Sequence, residues 1–267
     1  MDDTRRRMVH PSRCEMRTEV TRREFLAAAG VLALAACGGT SEEPEDVGNP
    51  KLLARPLPGR PKTLEAGVHR VSPNGSDLVA YVPASALDRD AIPVMVFLHG
   101  ANRTVETFVE AHRPIADDTG VVVLAPYAAE NTWDAIYSTF KVDVRRIDDA
   151  LGWLFAGLPI DPAAVALSGF SDGASYTLSL GRANGDLFSR LVAYSPGFLI
   201  PVPAVDKPPI GISHGMQDAI LPFANARDRI VPSLRSAGYT VDFRPFEGGH
   251  AVLLSMVTDN MQALAAL

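Results

Sequence analysis

The stretch Gly169-Phe170-Ser171-Asp172-Gly173 lies between an apolar run, Val165-Ala166-Leu167, and a helix-forming segment over residues 174–180. Strand, sharp turn and helix in that order leave the chain few architectures to adopt. A serine hydroxyl becomes a useful nucleophile only where a strained turn lifts it clear of a sheet, within reach of a base. Glycines two residues to either side remove the side chains that would collide there. The pattern predicts a buried strand running into the turn and a helix running out of it.

The apolar clusters on either side extend that prediction into an alternating α/β chain. Residues 68–71 and 78–82, joined through Pro73-Asn74-Gly75, read as an opening hairpin. Residues 93–98 form a continuous apolar strand of the kind buried on both faces. Further strands are expected over 121–124, 165–167, 191–194, 209–213 and 239–246. Helices are expected over 105–117, 142–158 and 223–237 and from 252 onward. In the second of these, Val144, Ile147, Leu151 and Leu154 share one stripe. Strands alternating with helices imply a mostly parallel central sheet flanked by helices on both faces. No insertion is long enough for a separate cap domain, so residues 67–267 are expected to form a single catalytic-size domain.

The N-terminal region has a different character. Thr21-Arg22-Arg23-Glu24-Phe25-Leu26 precedes a short apolar run that ends at Leu34-Ala35-Ala36-Cys37. A charged region, a short apolar core and small terminal residues predict an export signal over residues 1–36. The arginine pair resembles a twin-arginine signal, used for proteins that fold before export. Leu34 to Cys37 resembles a bacterial lipobox, which implies lipidation of Cys37 and a membrane anchor. Simple cleavage after Ala35, releasing an exported soluble protein, is the alternative. Residues 37–66, rich in proline and acid, are expected to be a flexible tether.

Charge and cysteine content exclude several classes. The formal net charge is −6; residues 1–26 hold seven arginines against five acids, so the remainder carries about −8. An acidic body without a basic stripe argues against nucleic acid as a partner. The two cysteines, Cys14 and Cys37, both precede the body. The body therefore has no disulfide, no cysteine nucleophile and no thiolate metal site.

Four stretches in order carry a resemblance: Phe97-Leu98-His99-Gly100, Gly169 to Gly173, Ser213-His214-Gly215-Met216-Gln217-Asp218, and Gly248-Gly249-His250. Together they resemble the α/β-hydrolase superfamily. Within it, the chain is similar to bacterial phospholipase/carboxylesterase-type esterases and their polyhydroxybutyrate-depolymerase and feruloyl-esterase-like relatives. The resemblance implies the order nucleophile, acid, histidine, with Ser171 as nucleophile, Asp218 as the orienting acid and His250 as the base. Asp206 and Asp242 are the rival acids. It also implies backbone oxyanion donors at Asp172 and, in the loop after Gly100, at Ala101. That loop is less glycine-rich than is usual after His-Gly. His99 and His214 are assigned structural hydrogen-bonding roles. Asn102, Trp133 and Tyr137 are candidates to line the substrate pocket, with Trp133 as a core anchor of its loop the equal alternative.

The implied activity is an exported serine ester hydrolase that needs no cofactor and no metal. A serine peptidase, a polyester depolymerase or a feruloyl esterase would use the same triad, and a non-catalytic surface binding lipoprotein is a further class. The expected partners are a small or polymeric ester and, through a lipid anchor, a membrane. The ester's identity and the oligomeric state are left open.

Overall fold

In the computed structural model, which describes residues 47–57, 59–102 and 105–267, the continuous apolar run becomes the middle of an eight-stranded sheet. Strand β3 (Ile92–Leu98) is buried at all seven positions. Its side chains divide between two cores, Val94, Val96 and Leu98 on one face and Met95 and Phe97 on the other. Successive side chains point to opposite faces, and here both faces are covered, so no position is left for a polar residue.

The other strands are β1 (Gly67–Val71), β2 (Leu78–Val82), β4 (Val122–Pro126), β5 (Ile160–Phe170), β6 (Arg190–Tyr194), β7 (Ile210–Gly215) and β8 (Val241–Phe246), in the order β1-β2-β4-β3-β5-β6-β7-β8. β1 and β2 pair antiparallel, β2 is antiparallel to β4, and every pairing from β4 onward is parallel. Helices α1 (Val105–Thr119) and α5 (Leu254–Ala265) cover one face. Helices α2 (Val142–Gly157), α3 (Asp172–Ala183) and α4 (residues 223–236) pack into the other core. The expected α/β architecture is the one observed.

Two elements differ from expectation for identifiable reasons. β5 runs five residues further back than the apolar run 165–167, because Ile160 pairs with Ile92 across a register irregularity. Asp161-Pro162 reads as a strand breaker, but proline is tolerated where a bulge leaves its missing N–H unneeded. Helix α4 comes as three contiguous pieces, Phe223–Asn225, Ala226–Ile230 and Val231–Ser236. The middle piece is a wide π turn, with the Val231 N–H donating to the Ala226 carbonyl five residues back. Pro232 lacks an N–H and crowds the preceding turn, and the widened turn accommodates it.

The expectation of a free tether over 37–66 is corrected from residue 47 onward. Leu52 is fully buried. The Leu52 N–H donates to Asn184 Oδ1 at 2.9 Å, and Asn184 Nδ2 returns a bond to the Pro50 carbonyl at 2.7 Å. The Leu53 and Ala54 N–H groups both donate to Asp148 Oδ1, at 2.7 and 2.8 Å. Lys51 and Arg55 both reach Asp186, and the Thr63 N–H bonds the Gly157 carbonyl at 2.8 Å. The segment has no periodicity to betray this packing. Its backbone groups are satisfied one at a time by side chains of α2 and the region after α3, which composition does not register. The predicted export signal and Cys37 lie outside the described residues. No helix among the described residues is long and apolar enough to cross a membrane.

Candidate active site

Ser171 stands between the end of β5 and the first residue of α3, at φ 57° and ψ −118°. A non-glycine residue there costs roughly 1–3 kcal/mol and persists only where its surroundings enforce it. Here the Ser171 N–H donates to the Tyr194 carbonyl of β6 at 2.9 Å, and the Ser171 carbonyl accepts from Ala174 and Ser175. Two glycines make the turn possible by close approach. A Cβ on Gly169 would come within 2.3 Å of the Gly173 carbonyl oxygen, and one on Gly173 within 2.2 Å of that of Leu98. The flanking glycines of the pentapeptide thus let β5, α3 and the end of β3 meet at the serine.

The other two members of the predicted set come from the same edge of the sheet. Asp218 sits in the loop after β7, and His250 in the loop between β8 and α5. Ser171 Oγ lies 2.8 Å from His250 Nε2, and His250 Nδ1 lies 2.7 Å from Asp218 Oδ2. Nδ1 faces a carboxylate and therefore carries the proton as donor, which leaves Nε2 as the acceptor for the serine hydroxyl. Asp218 is fixed in turn. Its Oδ1 accepts the Ile220 and Leu221 N–H groups at 2.9 Å each, and His214 Nε2 lies 3.2 Å from Oδ2. Burial pushes the Asp218 carboxyl up, but the bonds from His214 and His250, the charge of His250 and the Leu221 N–H outweigh it. The carboxyl is held well below the usual carboxylate range.

His214 is fully buried, and its Nε2 also lies 2.8 Å from the Leu221 carbonyl. Two acceptors face that nitrogen, so it is the protonated one, and it clamps Asp218 from behind. The rival acids lie elsewhere: Asp206 is exposed in a loop, and Asp242 faces outward from β8 and pairs with Arg244 at 2.8 Å.

The predicted oxyanion donors lie beside the serine. Asp172 opens α3, where an N–H has no intrahelical carbonyl to bond. Gly100 packs so closely that a Cβ on it would be 3.1 Å from Ser171 Cβ, which brings the Gly100–Ala101 peptide against the turn. His99 braces this loop. Its Nδ1 bonds the Gly100 carbonyl at 2.6 Å, and its Nε2 accepts from the Ala128 N–H at 3.0 Å.

The three candidate pocket residues have different fates. Trp133 is fully buried, donates Nε1–H to the His99 carbonyl at 2.8 Å, and packs on the rings of His99 and Tyr176. It is a core anchor and not a lining residue, because its indole N–H is satisfied inside the protein. Tyr137 is 56% exposed, and Asn102 is exposed at φ 77°.

An acidic network under the loop between β4 and α2 escaped sequence reasoning. Asp143 Oδ2 accepts the Asp134 N–H at 2.7 Å, and Asp134 Oδ2 accepts the Asp143 N–H at 3.0 Å. Asp143 also accepts the Ala129 N–H, while Asp134 accepts the Lys141 N–H and the Tyr176 hydroxyl. The D-x₈-D spacing was visible, but nothing in it declares that each acid caps the other's backbone. Burial, against the pull of those backbone bonds, raises the Asp143 carboxyl to about 6. A raised acid makes the folded state bind a proton that the unfolded chain releases, so this group's contribution falls as pH rises from about 4 to 6. Asp143→Asn is expected to flatten that slope, read as Tm at pH 4.5 against pH 6.5.

No family model matches the sequence, and no curated protein matches it. Solved structures do. An α/β-hydrolase enzyme named MGS-M1, from a Medee basin deep-sea metagenome library, is 20% identical; it aligns over 75% of this chain and 98% of its own, with a TM-score of 0.58. An acetyl xylan esterase from Aspergillus awamori is 14% identical over 74% and 100%, with a TM-score of 0.58. FphF, a fluorophosphonate-binding serine hydrolase of Staphylococcus aureus, is 15% identical over 74% and 96%, with a TM-score of 0.57. At such identities the likeness is one of architecture, and with the strand order and the serine turn described above it identifies this chain as having the α/β-hydrolase fold.

Proposed function

We propose that the chain is a serine hydrolase that cleaves carboxylic esters through an acyl-enzyme. The observation that carries this reading is the unbroken line from Ser171 Oγ through His250 to Asp218, at 2.8 and 2.7 Å, on a strained turn. His250 Nε2 takes the serine proton as Oγ attacks the ester carbonyl. Negative charge develops on the carbonyl oxygen, and the Asp172 and Ala101 N–H groups receive it. Asp218 stabilises the imidazolium, which then hands its proton to the departing alcohol. Water enters by the same route in reverse and releases the acid, restoring Ser171.

Several similar structures carry the words esterase or serine hydrolase in their names, which supports the reaction class. Export through a twin-arginine signal and anchoring through a lipidated Cys37 complete the proposal and rest on residues 21–37 alone. The test is a ladder of p-nitrophenyl esters of increasing acyl length beside the matched p-nitroanilides. Turnover of the esters, with anilides at least 100-fold slower, is expected; faster anilide cleavage would make the chain a peptidase.

A further inference from the structure

We infer that Ser195 and Gln217 are positioning residues, clamping the loop that carries His250 from its two sides so that bonds made outside the triad set where the imidazole stands. This deepens the serine-hydrolase reading and rests on it for its catalytic consequence. The loop spans residues 247–253, between the end of β8 and the start of α5. It is partly exposed along its whole length, and Gly248 sits at φ 150°, a backbone that other residues rarely adopt. Such a segment does not by itself hold a side chain within about 0.5 Å, as a reacting constellation requires. Yet His250 lies 2.8 Å from Ser171 Oγ and 2.7 Å from Asp218 Oδ2.

Gln217, in the loop after β7 and next to Asp218, holds the near side. Its Oε1 accepts the Gly248 N–H at 2.6 Å, its own N–H donates to the Gly248 carbonyl at 2.9 Å, and its Nε2 donates to Glu247 Oε2 at 2.8 Å. Only one orientation of the amide serves both a backbone donor and a carboxylate. Gly215 lets the two loops touch: a Cβ there would lie 2.1 Å from the Gly249 carbonyl oxygen. Gln217 is exposed. Ordering so long a side chain costs rotamer freedom that solvation would have kept, and its effect is to fix the residues just ahead of His250.

Ser195 holds the far side. It follows β6 and is fully buried; its Oγ donates to the Ala251 carbonyl at 3.2 Å, one residue past His250. Its backbone stands at φ 54°, where a non-glycine residue is uncommon and persists only when its surroundings enforce it. The Ser195 N–H donates to the Ser213 carbonyl of β7 at 2.8 Å, and the preceding carbonyl, of Tyr194, receives the Ser171 N–H. β6 lies between β5, which leads to the nucleophile, and β7, which leads to the acid. Ser195 thus stands at their junction, and its hydroxyl reaches the loop of the base. A turn needed only for the backbone is best made by glycine. Serine keeps the strain and adds the hydroxyl, and the hydroxyl is the part that meets the histidine's loop.

The test reads ester turnover, Tm and amide hydrogen exchange over residues 247–252 in the full chain. Gln217→Ala and Ser195→Ala are each expected to lower kcat by roughly five- to twenty-fold with KM within about two-fold, because the loop moves the base and not the bound ester. Exchange in the loop should quicken by about ten-fold or more. Ser195→Gly should lose kcat as Ser195→Ala does, although it relieves the strain and melts no lower. Gln217→Glu sets two carboxylates together and should lose the clamp as alanine does. The swapped pair Gln217→Glu/Glu247→Gln keeps an acceptor for Gly248 and a bond between the side chains, so kcat should return to within about two-fold of wild type. Unmoved kcat in folded Gln217→Ala and Ser195→Ala overturns the positioning role, and so does a swapped pair that recovers nothing. Unmoved exchange in both alanine variants overturns the clamp itself. If the Ser195 variants do not fold, the Gln217 series decides by the same outcomes. Should the wild type hydrolyse no ester while loop exchange quickens in Gln217→Ala and recovers in the swapped pair, the clamp exists and the ester-hydrolase reading fails.

Discussion

Ser171→Ala is expected to lower ester turnover by about 10⁴-fold or more while leaving the protein folded. The hydroxyl is the only atom removed, and its bond in the free protein is to His250 Nε2. The turn itself is enforced by backbone bonds to Tyr194, Ala174 and Ser175 and by the close approaches at Gly169 and Gly173. Alanine keeps the same Cβ and so the same strain at φ 57°. Its Tm should therefore stay close to wild type or rise slightly, since a polar group present for chemistry is removed. Thermal melts beside p-nitrophenyl ester kinetics check both halves. Loss of activity accompanied by unfolding would not support the role given to the hydroxyl.

Asp218→Asn is the second large effect, about 10⁴-fold in kcat, and it works through the histidine. The Oδ1 position must still accept from Ile220 and Leu221, so the new amide nitrogen takes the place of Oδ2. It then faces His250 Nδ1, donor against donor. The imidazole relieves the conflict by moving its proton to Nε2, where it points at Ser171 and can no longer accept. His214 loses an acceptor at the same time and keeps only the Leu221 carbonyl. Asp206→Asn and Asp242→Asn should stay within about two-fold of wild type, because neither residue is within this network. The depressed Asp218 carboxyl also contributes to acid resistance. Its folded value lies below the unfolded one, so its stabilisation is present above roughly pH 4 and is lost only as pH falls through the depressed value.

Much of this arrangement was legible because it depends on local rules. The pentapeptide required a strand before it and a helix after it, and β5 and α3 stand there. The unbroken apolar run of β3 required two covered faces, and the helices supply them. The order that the resemblance implies and the places of Asp218 and His250 in loops that follow strands point to both residues, and the structure brings their side chains together with Ser171. What stayed hidden depends on which side chain meets which backbone group. Asn184 and Asp148 hold residues 50–54 against the body, although that segment has the composition of a free linker. Asp134 and Asp143 cap one another across a loop, and Trp133 turns inward to the His99 carbonyl. Thr132 and Asp172 meet across 40 residues of sequence, and no periodicity encodes that meeting. Pairings of this sort are decided by tertiary geometry, so a pattern of residue types underdetermines them.

Covalent capture distinguishes an activated nucleophile at Ser171 from an ordinary buried hydroxyl. Wild-type protein is treated with an organophosphonate probe at neutral pH, digested and mapped by mass spectrometry. A single adduct is expected on the peptide containing Ser171, absent in Ser171→Ala and strongly slowed in His250→Gln. Folded wild-type protein that forms no adduct, or forms it on another residue, would show that Ser171 is not the nucleophile.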